Sequence, residues 1–386
     1  MKIFHLSDLH IGLKLMQRDL LDEQRYILAE ITEMARREEP DAVLIAGDIY
    51  DKAIPPAEAV EVVDNFVAGL IDTLPRAEIM LISGNHDSPR RVNFFRTILA
   101  KQHVRMIGLP PRTPEEHIEK VTLTDSFGVV NFYLLPFVKP SMVRAVVAND
   151  DDESALSYDE TLHRLLAREE INERERNILV SHQFYLPPGK NAADMERMDS
   201  EIVTVGNIDA VKSDLLKKFD YAALGHIHKP TLAGGENWRY SGTPMAVSVS
   251  EAGQKKGVVS VELKEKGNIR IEVFPLAPRR AVRVIRGEAS TVLSAPSEDY
   301  VSVVLTDTEL TDVIDVQDRL RHAFPNLLEI RRELREKQIV NYGDDTLPTT
   351  DVYKDPLALC TDFWGDMDDE DKILLQDVIN SLREVQ

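Results

Sequence analysis

From residue 1 to about residue 275, short apolar runs alternate with polar loops and amphipathic stretches. The runs are Ile3–Leu6, Ala42–Ala46, Ile79–Ile82, Val129–Leu135, Ile178–Val180 and Tyr221–Leu224. They are short and rich in Ile, Val and Leu, which predicts strands buried on both faces. Between them, Asp22–Arg37, Glu58–Leu70 and Ser88–Ala100 carry apolar residues at helical spacing. Pro55-Pro56 ahead of Glu58 suits a helix entry. Val258–Leu263 and Ile269–Val273 alternate apolar and polar residues across Gly267-Asn268, which predicts an antiparallel hairpin. The pattern is that of an α/β domain, a sandwich of sheets flanked by helices.

The pattern breaks around Pro275–Arg280. A smaller α+β unit follows, with strands at Val282–Arg286, Tyr300–Leu305 and Leu327–Arg331 and a helix over Asp312–Phe324. Asn341–Thr350 has linker composition, rich in Gly, Asp, Pro and Thr. Glu370–Gln386 reads as a helix whose Leu375, Val378, Leu382 and Val385 form an apolar seam, widened by Ile373, Leu374 and Ile379. The expected divisions are 1–277, 278–340 and 341–386. No internal repeat or low-complexity tract interrupts them.

Composition narrows the options. With 43% hydrophobic and 29% charged residues over 386 positions, the chain is globular. Its one cysteine, Cys360, excludes an internal disulfide framework and a Cys-based zinc site. Met1–Asp8 has no apolar core of a signal peptide, and no stretch approaches the ~18 apolar residues of a membrane helix. A soluble, cytoplasmic protein with no membrane segment is expected. The net charge of −20 argues at first against nucleic acid. It is unevenly placed, however: residues 341–386 hold 12 acidic and three basic residues, and six acids fall between Asp150 and Glu160. Charge alone does not decide the partner.

Candidate chemistry lies where the strands end. Ser7-Asp8-Leu9-His10, Gly47-Asp48-Ile49-Tyr50-Asp51, Ser83-Gly84-Asn85-His86-Asp87, Ser181-His182-Gln183 and Gly225-His226-Ile227-His228 each follow an apolar run. Carboxyl ends of sheet strands are where α/β proteins build sites. Asp8, His10, Asp48, Asn85, His182, His226 and His228 are oxygen and nitrogen donors, suited to Mn²⁺, Zn²⁺ or Fe²⁺. Seven are too many for one ion and about right for two with a bridging carboxylate. Two ions ~3.5–4 Å apart clamp a phosphoryl group between attacking and leaving oxygens. His86, next to a ligand, is left for proton transfer. Any one element alone reads as a turn or a helix cap; five in order are a joint signal.

The sequence resembles the calcineurin-like metallophosphoesterase superfamily, whose pattern is D-x-H, G-D, G-N-H-[DE], G-H and G-H-x-H. Asp8 and His10 match the first element, Asp48 the second, Asn85 and His86 the third, and His226 and His228 the fifth. His182 matches the fourth, with Ser181 in place of the usual Gly. Within the superfamily the chain is similar to DNA nuclease subunits, through His5–His10, Gly47–Asp51, Leu224–His228 and Tyr240–Pro244. Relatives often carry His where this chain has Asp51, so the role of that His does not transfer. The resemblance implies a four-layer αββα sandwich with an α+β capping domain and a C-terminal helical tail. It implies two divalent ions, Mn²⁺ first with Mg²⁺, Fe²⁺ or Zn²⁺ as alternatives, and hydrolysis of phosphodiester bonds at DNA ends and hairpins. Asp48 would bridge; Asp8, His10 and His228 would complete one ion, and Asn85, His182 and His226 the other.

It also implies an SbcC/Rad50-type ABC ATPase partner, docked through residues about 355–386, and a homodimer within a heterotetramer. Lys14, Arg18, Arg90 and Arg91, in or after the site loops, are candidate DNA contacts. A small-molecule phosphodiesterase of the same superfamily is the alternative, against which the cap and tail count. A non-catalytic scaffold would have lost ligands that are all present here.

Overall fold

A computed structural model of the protein describes residues 1–149, 155–192, 195, 197–201, 204, 208–306, 313–333 and 369–383, with single positions at 357, 360 and 364. Two units separate by packing: residues 1–201 with 209–332, and residues 202–208 with 333–386.

The first sheet begins with β1 (Lys2–Leu6), β2 (Ala42–Ala46), β3 (Glu78–Ile82) and β4 (Val104–Ile107), each parallel to the next. Helices α1 (Leu21–Glu38) and α2 (Ala57–Thr73) connect β1 to β2 and β2 to β3. A second sheet follows, from β5 (Glu119–Asp125), β6 (Gly128–Leu135), β7 (Arg176–His182), β8 (Tyr221–Gly225), β9 (Thr231–Leu232) and β10 (Trp238–Tyr240). Its order is β9-β10-β8-β7-β6-β5, with α3 (Pro140–Val147) and α4 (Tyr158–Ala167) between β6 and β7. The chain then returns to the first sheet as the hairpin β11 (Gly257–Leu263) and β12 (Ile269–Pro275). β11 pairs antiparallel with β1, so the first sheet runs β12-β11-β1-β2-β3-β4.

Strand pleating assigns each residue to a layer. On β2, Ala42, Leu44 and Ala46 face the second sheet and pack with Phe132, Ile178, Val180 and Ala223. Val43 and Ile45 point the other way, against Ile27 and Ile31 of α1 and Val63 and Phe66 of α2. On the far side, Leu179, Ala222 and Leu224 meet Val143 of α3 and Leu162 and Leu165 of α4. The layers are therefore helix, sheet, sheet, helix, as expected. Each of the fully buried Leu, Ile, Val and Phe side chains among these contributes about 1.5–3 kcal/mol, so apolar burial is the main force that holds the two sheets face to face.

The smaller α+β module has three parallel strands, β13 (Val282–Gly287), β14 (Tyr300–Leu305) and β15 (Leu327–Arg332). Helices α5 (Ala289–Leu293) and α6 (Val313–Ala323) complete it around its own core of Val292, Val301, Val303, Leu320 and Phe324. Arg279 and Arg280 both donate to Glu23 on α1, and Arg18 donates to the Pro325 carbonyl. The C-terminal helix is α7 (Asp369–Arg383). Ile373, Leu374 and Val378 on it are exposed. The expected linker at 341–350 and Val385 lie outside the described residues. Among the described residues no helix is long and apolar enough to cross a membrane.

One expected helix is broken. Ser88–Ala100 forms two four-residue turns, Pro89–Val92 and Arg96–Leu99, because Phe95 between them adopts φ 60°. That left-handed backbone ends the first turn and re-aims the second.

Candidate metal centre

The site loops are locked to one another before any ligand is considered. Asp8, His10 and Ile11 donate their N–H groups to the carbonyls of Gly47, Asp48 and Ile49, each at 3.0 Å. The Asp87 carboxylate accepts from the N–H groups of Ile49 (3.0 Å), Tyr50 (2.9 Å) and Gly84 (2.9 Å), tying the loop after β2 to the loop after β3. The two sheets are joined as well: His226 N–H donates to Asp8 Oδ1 at 2.9 Å, and His182 Nδ1–H donates to the Ala46 carbonyl at 2.7 Å. The fit is tight at Gly225, where a Cβ would collide with the Ala46 carbonyl. Four candidate residues have positive φ, Asp8 (53°), His10 (43°), Asp48 (48°) and His226 (105°). Such backbone costs of order 1–3 kcal/mol per residue and persists only where the surroundings over-determine it.

These constraints gather all eight candidates. His10 Nε2 lies 3.0 Å from His228 Nε2, and Asp8 shares a ligand-sized space with both. His182 Nε2 and His226 Nδ1 each lie 3.0 Å from Asn85 Oδ1. Asp48 Oδ2 stands between the two groups, 3.6 Å from His10 Nε2 and 3.2 Å from His182 Nε2. Imidazole nitrogens thus crowd against one another and against carboxylate and amide oxygens in a buried space, a set of N and O ligand atoms that suits cations. Oxygen and imidazole donors without thiolate match Mn²⁺, Fe²⁺ or Zn²⁺.

The electrostatics follow from burial and crowding. Burial raises the Asp8 carboxyl to about 6, against the fields of His182 and His228. Burial would raise Asp48 too, but the charges of His182 and His86 outweigh it and hold the carboxyl well below the usual range. For His182, burial is overcome by Asp48 and the imidazole rises to about 9. His10 and His226 are pushed well below the ordinary histidine value, chiefly by burial.

His86 is half-buried at the rim, its Nδ1–H donating to the Asp51 backbone carbonyl at 2.9 Å. Its ring is therefore oriented by main chain, while the Asp51 carboxylate lies 4.0 Å from His10 Nδ1. The four basic candidates are not in the cluster. Lys14, Arg90 and Arg91 are exposed, and Arg18 is turned to the carbonyl of Pro325.

Other residues surround the ligand set that no motif picks out. Arg197 lies over the Phe184 ring, donates to Glu201 at 2.6 Å, and brings Nη2 to 3.2 Å from His226 Nε2. Ser200 and Glu251 stand behind His228, and Ser7 donates to Asp8. Only burial of single polar residues marks them, and that is invisible in one sequence.

The calcineurin-like phosphoesterase family matches residues 1–230. A relative from Staphylococcus saprophyticus, the SbcD component of the SbcCD nuclease, is 30% identical over 340 residues, covering 86% of this chain and 85% of its own length. Among solved structures, a protein from Thermus thermophilus is 13% identical with a TM-score of 0.39, covering 70% of this chain and 98% of its own. A dimetal phosphatase from Danio rerio is likewise 13% identical with a TM-score of 0.39, covering 72% and 96%. With a family match over more than half its length, loops that interlock around one O/N donor cluster, and a relative 30% identical over 86% of the chain, the chain belongs to the calcineurin-like phosphoesterase family, in the line of the SbcD nucleases.

Proposed function

We propose that the protein is a two-metal DNA nuclease subunit, cleaving phosphodiester bonds at DNA ends and hairpins together with an SbcC-type ABC ATPase. The observation that carries this reading is the convergence of Asp8, His10, Asp48, Asn85, His182, His226 and His228 on one buried space spanning both sheets. Asp8, His10 and His228 would hold one ion, Asn85, His182 and His226 the other, and Asp48 both. Bound divalent ions, Mn²⁺ first, supply Lewis acidity at the phosphoryl oxygens.

The chain's own groups do the rest. The left-handed turns at Asp8 and Asp48 aim their carboxylates inward, and the backbone bonds between loops keep them there without rearrangement during a turnover. His86, its Nδ1–H held on the Asp51 carbonyl, presents Nε2 to the leaving oxygen, to which the doubly protonated ring gives its Nε2 proton and returns to the neutral Nδ1–H form. Arg197 places a guanidinium against the cluster, where it meets an anionic phosphodiester. Lys14, Arg90 and Arg91 extend positive charge outward along the path of the backbone, and the ATPase supplies further DNA-binding surface to a chain of net charge −20.

Self-association is supported by apolar surface beside the site. Ile54, Phe94, Phe95 and Ile98 are 60–74% exposed, and Phe94 lines a cavity of about 540 Å³ with Tyr50, Pro55, Val60, Arg90 and Arg91. A second copy of the chain covers this patch in our reading. A cytoplasmic, nucleoid-associated location fits such a substrate.

The test is substrate choice. Linear and hairpin DNA, bis-p-nitrophenyl phosphate and cyclic nucleotides are offered with Mn²⁺, with and without the purified ATPase. Mn²⁺-dependent cutting of DNA ends, stimulated by the ATPase, is expected. Turnover confined to the small esters overturns the nuclease reading and leaves a small-molecule phosphodiesterase.

A further inference from the structure

His228 is gripped on three sides by groups outside the ligand pattern. Its N–H donates to Glu201 Oε1 at 2.9 Å, and its carbonyl accepts from Lys256 Nζ at 2.9 Å. Its Nδ1 lies 2.7 Å from Ser200 Oγ and 3.5 Å from Glu251 Oε1. Glu251 is fully buried and saturated with donors. Its Oε1 accepts from Ser200 Oγ at 2.9 Å and Ser248 Oγ at 3.0 Å, and its Oε2 from Thr243 Oγ1 and Lys256 Nζ, both at 2.7 Å. Lys256 is buried with it, and its three N–H bonds are shared among Glu251, the His228 carbonyl, Thr243 Oγ1 (2.7 Å) and Gln254 Oε1 (2.9 Å).

The polarity of this chain of bonds has one solution. A carboxylate beside an ammonium only accepts, so the single hydroxyl hydrogen of Ser200 points to Glu251. Ser200 Oγ then has only a lone pair to offer His228. Its neighbour Nδ1 must carry a ring hydrogen, and in the neutral ring that binds a cation Nε2 is left bare. Nε2 is the nitrogen that faces His10 Nε2 across 3.0 Å.

We propose that Glu251, acting through Ser200 and neutralised by Lys256, is a positioning residue that fixes His228 with its hydrogen on Nδ1 and its lone pair on Nε2, and so sets the affinity of the ion held with Asp8 and His10. This rests on the metal reading above. An outer acceptor behind a ligating imidazole both selects the tautomer and stiffens the ring, and its loss weakens metal binding about 10–100-fold. Glu251→Gln reverses the polarity, because the new amide donates to Ser200 Oγ and frees the hydroxyl to donate to Nδ1. Ser200→Ala removes the relay and leaves the carboxylate.

The full-length chain, freed of metal, is titrated with Mn²⁺ while free Mn²⁺ is followed by electron paramagnetic resonance. Nitrogen-15 spectra of the metal-free histidines, recorded at alkaline pH, report the tautomer, and the His228→Ala chain identifies the resonance by its absence. The wild type is expected to take two ions. Glu251→Gln keeps two, with one weakened about 10–100-fold and the other unchanged, and the His228 signal moves toward the Nε2–H form. Ser200→Ala weakens the same ion. Wild-type affinity for both ions with an unmoved tautomer overturns the proposal alone, read from Glu251→Gln or, if that chain does not fold, from Ser200→Ala. A His228→Ala chain that binds both ions like the wild type overturns the metal reading and the proposal together.

Discussion

Asp48 joins the halves of the centre: Oδ2 faces His10 and His182, and Oδ1 accepts the His86 N–H at 2.9 Å. Asn tolerates the left-handed backbone at this position and still offers Oδ1, so Asp48→Asn removes the charge and little else. It is expected to abolish metal-dependent hydrolysis of bis-p-nitrophenyl phosphate with an unchanged circular dichroism spectrum. His86→Gln should keep both ions, measured by metal analysis, and lower turnover about 10²–10⁴-fold, the range for a positioned proton donor. Protons compete with metal at the same atoms. His182, raised to about 9 by Asp48, holds a proton in the metal-free protein that an ion must displace. Mn²⁺ affinity should therefore rise about tenfold per pH unit through neutrality and level off near pH 9. Below pH 6 the slope should steepen as Asp8, raised to about 6, also binds a proton. A flat profile in a Mn²⁺ titration would remove His182 from the ligand set.

At the scale of elements, what was legible in the sequence was what burial writes plainly. β1, β2, β3, β7 and β8 are covered on both faces, so their apolar runs stand out, and the loops that follow them were located with them. β5 was not foreseen because it closes the edge of its sheet and most of its residues are partly exposed, which erases the apolar run. α4 did leave a mark, since Ser157 accepts from the Glu160 N–H at 3.1 Å in a Ser-x-x-Glu cap that the sequence displays. Glu251 and Ser200 left none: each is a lone polar residue whose partner lies 51 positions away. The segment read as one helix over Ser88–Ala100 shows the same limit, because Phe94, Phe95 and Ile98 face outward while Val92 is buried. Phe94 and Phe95 are 66% and 60% exposed. Phe94→Asp should convert a dimer to a monomer in sedimentation velocity and leave hydrolysis of small diesters intact.

For the whole molecule, the apolar residues of α7 are exposed at Ile373, Leu374 and Val378, in keeping with a helix that docks on a partner. A chain ending at Thr349 should hydrolyse small phosphodiesters normally and fail to co-purify with the ATPase. A lowered melting temperature with complex formation intact would instead assign the helix to this protein's own fold. A different cut exposes another dependence. All eight candidate residues lie before residue 230, where the family match ends. β11, which covers one side of β1 and sends Val259 and Val261 between the sheets, lies after it. A fragment of residues 1–230 would own every ligand and still present β1 as a bare edge over an opened core, a template for chain-to-chain pairing. Such a fragment should scatter light and sediment as aggregate soon after dilution from denaturant. The boundary that similarity draws is therefore not one at which the polypeptide folds, and any library of shortened variants has to carry the chain past Pro275 before a loss of activity says anything about chemistry.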